Sequence, residues 1–366
     1  MKPRALLIIA ILCGFGWLVT GFLNPHAALL AYLSAFLPLA EISLGALFIL
    51  MLGFLVPGRW FEPLWRPLAA AALTMPVIAL LFLPILFGLP TIYEWAAHPE
   101  MLKGFKAAYL SLPVFVIRNL FYFSLWTLQA FLLVRARGDV HAQQRAASWG
   151  LVVYALTGSI AGVDWIESLT LEFHSSTYGL LFLASQVLAG MSFAMAAIPA
   201  LNRNERPLLL HGQLLFSCVL LWAYLHGMQY IIIWAANKPS EVQWYIDRSV
   251  GGWALVTWFV YLSQFLFPFG AFLFARVRRS IDWLIALALS FLFIRVVESF
   301  WLVVPGQEVN YYVLVPAAIF SLLFCGIVFW LSFLSIVARL RRGEDVMPSS
   351  AARSSRAKSS RQGSAR

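Results

Sequence analysis

The chain has 366 residues, 61% hydrophobic and only 11% charged, with thirty Phe and fifteen Trp, whereas a water-soluble domain has about 25% charged residues. That composition excludes a soluble enzyme and places the chain in a lipid bilayer. The net charge of +10 would suit nucleic acid, but the basic residues gather in alternate loops, so the charge reports membrane orientation and no nucleic-acid partner is expected.

A helix crossing a bilayer needs about 20 apolar residues. Ten such runs occur, at about 5–23, 27–57, 67–89, 109–134, 147–168, 175–201, 211–236, 250–276, 281–304 and 312–338. Period-2 alternation is missing, which excludes an outer-membrane barrel. The expected fold is an all-α integral membrane protein with about ten transmembrane helices spanning 1–342.

Run 1 follows Lys2 and Arg4 like a signal peptide, but no small-x-small cleavage site follows it, so it is expected to stay. Cys13, Cys218 and Cys325 stand alone in apolar runs without metal or haem spacing. They read as small buried hydrophobes, and the chain itself is expected to bind no haem, iron–sulfur cluster or metal. Run 2 is long enough to tilt. Glu41 lies near its middle, three residues after Pro38, and a proline frees the carbonyl four residues before it. Pro76, Pro84, Pro113, Pro268 and Pro316 also fall inside runs.

The segment 90–108, with Tyr93, Trp95, Lys103, Phe105 and Lys106, suits an interfacial helix. Arg118 lies about a third of the way into run 4. Asp164 and Glu167 fall in the last turns of run 5, three residues apart and so on one helix face. His174, Ser175, Ser176 and Thr177 precede run 6, where a plain N-cap would also place such residues. Run 7 holds His226 with Gln229 one turn on. The connection 237–249 puts Trp244 and Tyr245 at headgroup level. Run 9 holds Arg295 and Glu298, again three apart, which could be an ordinary ion pair. The stretch 343–366 is Ser, Ala and Arg, and reads as a disordered basic tail on the cytoplasmic side.

Basic residues set the orientation. Of the 26 Lys and Arg, 20 fall in the segment before run 1, the loops after runs 2, 4, 6 and 8, and the tail. Four fall in the opposite loops, and the other two are Arg118 and Arg295. Both termini are therefore expected in the cytoplasm. On that orientation Glu41, Arg118, Asp164, Glu167, Arg295 and Glu298 lie at mid-depth or in the periplasmic half. Charged groups at such depth are costly and usually functional. If all six met, four acids would face two arginines, and arginine stays protonated. The excess acid would leave at least one carboxyl protonated near neutrality, as a proton path requires. Glu41, Asp164, Glu167, Glu298 and His226 are the candidates for that path, with Arg118 and Arg295 as tuning or ion-pair partners. Asp164, His174 and Tyr178 form a candidate quinone site at the periplasmic edge. No catalytic motif is present, neither a phosphate loop nor HExxH nor GxSxG.

Several stretches carry a resemblance. AYLSLPVFVIRNLFYFSLW (108–126), GVDWIESLTLEFHSSTYG (162–179), GMQYIIIWAANKPSEVQWYIDR (227–248), RVVESFWLVVP (295–305) and FLPILFGLPTIYEWA (82–96) resemble, in order, segments of the ActF-type membrane subunit of bacterial alternative complex III. That complex is a quinol:cytochrome c oxidoreductase, and the subunit is related to the NrfD and ActC polytopic proteins. Glu167 and His174 depart from the pattern, as do Ser240, Gln264 and Glu298.

The resemblance implies two four-helix bundles, helices 2–5 (27–168) and 6–9 (175–304), flanked by helices 1 and 10. It implies a multi-pass protein of the bacterial cytoplasmic membrane. The partners would be a cytochrome c subunit, an iron–sulfur subunit and an ActC-like membrane subunit. The role would be structural, with proton conduction through the intramembrane acids. An NrfD-like quinone-binding anchor and a stand-alone secondary transporter are the alternatives.

Overall fold

The computed structural model describes residues 3–136, 138–201 and 209–346. Within them the chain is helical without strands, and ten helices are long and apolar enough to cross a membrane. They are α1 (Pro3–Leu23), α2 (Pro25–Leu55), α3 (Glu62–Phe87), α4 (Leu112–Arg135), α5 (Val140–Trp165), α6 (Tyr178–Leu201), α7 (Leu209–Ala236), α8 (Gly252–Leu273), α9 (Ile281–Val303) and α10 (Tyr311–Val346). The face that bears the α3–α4, α5–α6, α7–α8 and α9–α10 connections is called outer below, following the distribution of basic residues.

Local chemistry explains the helix ends. Asn24 caps α2 by accepting from the Ala27 amide at 3.0 Å, with Pro25 in the first turn. Asp139 caps α5 through the Ala142 amide at 3.0 Å. That cap carries α5 into the polar sequence VHAQQRA, so the helix starts seven residues before the apolar run does. At the other end α10 continues to Val346, past the expected boundary at 342. The remainder of the expected tail, 347–366, lies outside the described residues.

The prolines act in different ways. Pro113 is the second residue of α4 and starts that helix without kinking it. Pro76 divides α3 into Glu62–Ala72 and Met75–Phe87. At that break the Thr74 hydroxyl donates to the Ala71 carbonyl at 2.6 Å and lies 2.8 Å from the Ser43 hydroxyl of α2. Pro268 follows a π-helical turn, Leu262–Leu266, in the middle of α8. Pro38 leaves the Ser34 carbonyl without its helical donor, and the Ser299 hydroxyl of α9, 2.7 Å from it and from the Val296 carbonyl alike, has one hydrogen to divide between the two. Inside lipid such a carbonyl must find a partner within the protein.

The segment expected as one interfacial helix is instead a string of short turns: Leu89–Ile92, Glu94–Ala97, Pro99–Met101 and Phe105–Tyr109. Pro90, Pro99 and Gly104, with φ of 59°, interrupt it. The α7–α8 connection does form a helix, Pro239–Asp247.

The core is the crossing of α2 and α6. Apolar helices gain nothing in lipid from hydrophobicity alone and associate through close packing of small residues. Gly45 of α2 and Gly190 of α6 meet at this crossing. A Cβ on Gly45 would lie 1.7 Å from the Gln186 carbonyl oxygen, so no larger residue fits without moving a helix. Around this pair α2 packs on α3, α5, α9 and α10, while α6 packs on α5, α7 and α9. α1 lies on α10 and α2 at the edge, and the Trp17 indole donates to the Ala28 carbonyl at 3.0 Å. α2 and α6 are mostly buried, whereas α1, α7, α8 and α10 turn most of their surface outward.

Candidate functional site

The six intramembrane charges do not meet. The structure separates them into two sites and leaves Glu167 near a third set of groups, which corrects the expectation of one cluster.

The first site joins α4 and α5. Arg118 grips Asp164 with both arms: Nε donates to Oδ2 at 2.8 Å and Nη2 to Oδ1 at 2.7 Å. The hydroxyls of Tyr109 and Tyr122 donate to the same carboxylate, at 2.8 and 3.3 Å. The remaining arm of Arg118 donates to the Tyr109 carbonyl at 3.0 Å, and its guanidinium carbon lies 3.9 Å from the Tyr109 ring centre. Asp164 is fully buried, yet every donor it could want is present and its charge is matched one to one. Next to it the Trp165 indole donates to the Asn119 side-chain oxygen at 2.7 Å, and Tyr93 donates to the Trp165 carbonyl at 2.9 Å. This is a lock that fixes the α4–α5 pair to the outer turns.

The second site lies among α2, α7, α8 and α9. Arg295 of α9 also makes a two-armed contact, Nε to Glu41 Oε2 at 2.9 Å and Nη2 to Oε1 at 2.7 Å. Its Nη1 reaches Glu298, one turn along the same helix. Glu298 then receives the Trp222 indole at 3.1 Å and the Gln264 amide at 2.9 Å. His226 Nε2 sits 3.4 Å from Glu298 Oε1. Glu41, Arg295, Glu298 and Gln264 are wholly buried, and His226 is 3% exposed. The π turn of α8 is what places Gln264 here, and such turns recur at functional sites.

The charge count differs between the sites. In the second site two carboxyl groups face one guanidinium and one imidazole. The histidine geometry narrows the count further. His226 Nδ1 lies 3.1 Å from the Trp222 carbonyl oxygen. A carbonyl only accepts, so Nδ1 carries the hydrogen. Nε2 therefore presents to Glu298 either a lone pair or a second hydrogen. A lone pair facing a carboxylate at 3.4 Å would repel it, and a proton placed between Nε2 and Oε1 would remove that repulsion. With that proton the site is neutral. Without it an unmatched negative charge is buried in lipid.

The third set lies nearer the outer face. Asp164 and Glu167 do not share a helix face as expected, because α5 ends at Trp165 and Glu167 opens a 3-10 turn, Glu167–Leu169. Glu167 Oε1 instead accepts the Ser175 amide at 3.0 Å. The Ser175 hydroxyl donates to Gln229 Oε1 at 3.0 Å, and Gln229 Nε2 donates to the Tyr245 hydroxyl at 3.2 Å. Burial pushes the Tyr245 hydroxyl up to about 12, so it remains a neutral phenol.

Asp164, His174 and Tyr178 do not converge on a quinone-sized space. His174 is exposed, with Nδ1 3.0 Å from the Glu172 carbonyl oxygen of its own loop. Tyr178 is buried. None of the three lines the outer-face cavity of about 790 Å³, whose walls include Lys106, Leu169–Glu172, Gln243, Trp244 and Asp247.

Sequence reasoning missed Tyr109, Tyr122 and Trp222 as partners of the acids, because aromatic residues are so common in this chain that none stands out. It also missed Arg248, which hydropathy places in a loop. Arg248 is 2% exposed and donates to three carbonyls, of Trp244, Trp301 and Leu302, at 2.8, 3.0 and 2.7 Å. Its guanidinium carbon lies 3.5 Å from the Trp244 ring centre. It binds the last carbonyls of α9, where the helix dipole favours a cation, and ties them to the Pro239–Asp247 helix. Burial pulls Arg248 down to about 9, still cationic at neutrality. The Trp-Arg spacing of four on a helix was the available signal. Compared with known proteins, the chain matches no family model and no curated protein.

Proposed function

We propose that this chain is a proton-handling subunit of a membrane oxidoreductase complex, with the His226–Glu298 pair as the group that holds the exchangeable proton. The observation that carries this reading is the orientation of His226: with Nδ1 3.1 Å from the Trp222 carbonyl oxygen, Nε2 faces Glu298 Oε1 at 3.4 Å, where one shared proton neutralises the site. Arg295 and Glu41 form the neutral pair that holds Glu298 in place. Buried ionisable groups paired in this way are typical of proton relays. The resemblance to ActF-type subunits supplies the setting: a bacterial cytoplasmic membrane and partners that carry haem, iron–sulfur clusters and the quinol site.

Purification from native membranes tests the setting. Haem-bearing and iron–sulfur subunits are expected to co-purify, and a chain that emerges alone without haem absorbance sinks it. In the same preparation Glu298→Gln is expected to abolish proton release coupled to turnover while the subunits stay assembled. Unchanged proton release sinks the relay.

A further inference from the structure

A proton held at His226 and Glu298 needs a way to water. The buried polar atoms without a hydrogen-bond partner among the described residues include His226 Nε2, 3.4 Å from Glu298 Oε1, and Gln264 Oε1 in the second site, and also Tyr178 Oη and Glu167 Oε2. Buried polar groups are rarely left so, and where no protein atom serves, an internal water does. Tyr178, 1% exposed, is tied to Ser175 by its amide, which donates to the Ser175 carbonyl at 3.2 Å. Gln229 and Ser175, hydrogen-bonded to each other at 3.0 Å, flank the same path, and Gln229 is one helical turn beyond His226. Lys106, which donates to the Leu171 carbonyl at 3.1 Å, lines the outer cavity together with Leu169–Glu172. The wall of the cavity begins two residues beyond Glu167, at Leu169, and the cavity serves as the aqueous mouth.

Asp164 offers no such route. Both its oxygens are taken by Arg118 and two tyrosines. A proton arriving there would have to displace a two-armed guanidinium.

We infer that protons pass between the His226–Glu298 pair and the outer face by way of the Tyr178 hydroxyl and Glu167, through internal water held by Tyr178, Gln229 and Ser175, and that Asp164 takes no part. The inference rests on the reading of His226–Glu298 as the proton-holding pair. Each transfer is balanced. A water takes the proton from the pair and gives one of its own to Tyr178 Oη. The phenol passes its original hydrogen on toward Glu167 Oε2, and Glu167 releases one to the cavity. The water, Tyr178 and Glu167 then each hold as many protons as before, the pair is one proton short until the reverse passage reloads it, and no electron moves.

The test follows hydrogen–deuterium exchange of the held proton by infrared spectroscopy, with the full chain in lipid nanodiscs moved rapidly into D2O. The band is assigned by its loss in Glu298→Gln or His226→Asn. Tyr178→Phe and Glu167→Gln are each expected to slow exchange by about tenfold or more, and Glu167→Asp to restore most of the rate. Asp164→Asn is expected to exchange at the wild-type rate. Tyr178→Phe removes only an oxygen that has no protein partner, so its thermal unfolding should match wild type and a slow rate cannot be ascribed to misfolding. Wild-type exchange in both Tyr178→Phe and Glu167→Gln, or equal slowing in Asp164→Asn, overturns the route and leaves the proton-holding pair standing. If neither Glu298→Gln nor His226→Asn removes a band, the pair itself is wrong and the route falls with it.

Discussion

The two arginine–carboxylate sites use the same two-armed grip for different ends. Arg118 holds Asp164 near the outer end of α5, with 14% of the arginine side chain exposed and two tyrosine hydroxyls completing the acid's needs. Arg295 holds Glu41 deep between α2 and α9, fully buried, and must also serve Glu298. The first site is balanced and closed. The second has one acid to spare and settles it with a histidine. An intramembrane charge therefore does not announce its role by depth alone. What separates a lock from a proton holder is the count of partners around each oxygen.

The largest test of this contrast removes each arginine. Arg295→Met leaves two carboxyl groups facing each other without a counter-charge. Breaking a buried pair in this way costs about 3–5 kcal/mol, so a large fall in folded yield and unfolding temperature in lipid nanodiscs is expected. Adding Glu41→Gln should recover much of the loss. Arg118→Met should cost less, because Asp164 keeps its two tyrosine donors. Equal losses at the two arginines would erase the distinction.

A middle-sized effect is expected from Asp164→Asn. It removes the charge from a site already rich in donors, while Arg118 can turn to interfacial water, so the cost is that of charge-assisted hydrogen bonds, about 1–3 kcal/mol. Thermal unfolding measures this. A cost matching Arg295→Met would show that the first site is as sealed as the second.

The smallest effect belongs to Ser299→Ala, which strips the donor from the carbonyl that Pro38 frees, three residues before Glu41. About 1 kcal/mol is expected, with no change in the exchange rate of the held proton. A change in that rate would mean that the bend in α2 also sets the geometry of Glu41.

Much of the architecture is legible without coordinates, because a bilayer leaves the chain little choice. With no water to satisfy backbone groups, a long apolar run must become a helix. The ten runs fall within a few residues of the helices at nearly every end, and the clear exceptions, α5 and α10, extend through polar sequence at the inner face. The Arg295–Glu298 contact was also legible, since both residues lie on one helix at a spacing of three.

The pairing of residues from different helices was not legible. Nothing local says that Arg118 meets Asp164 while Arg295 meets Glu41, 254 positions earlier in the chain. That choice depends on which helices touch, and the Gly45–Gly190 crossing brings α2 against α6 and so beside α9. The separation of Asp164 from Glu167 was hidden for a related reason. Their spacing of three predicts a shared face only if the helix continues, and α5 stops at Trp165. Composition and periodicity, which act through the solvent, determined the ten helices long and apolar enough to cross a membrane among the described residues. Contact between distant helices, which acts through packing and hydrogen bonding, decided that Arg118 locks Asp164 and that His226 comes within 3.4 Å of Glu298.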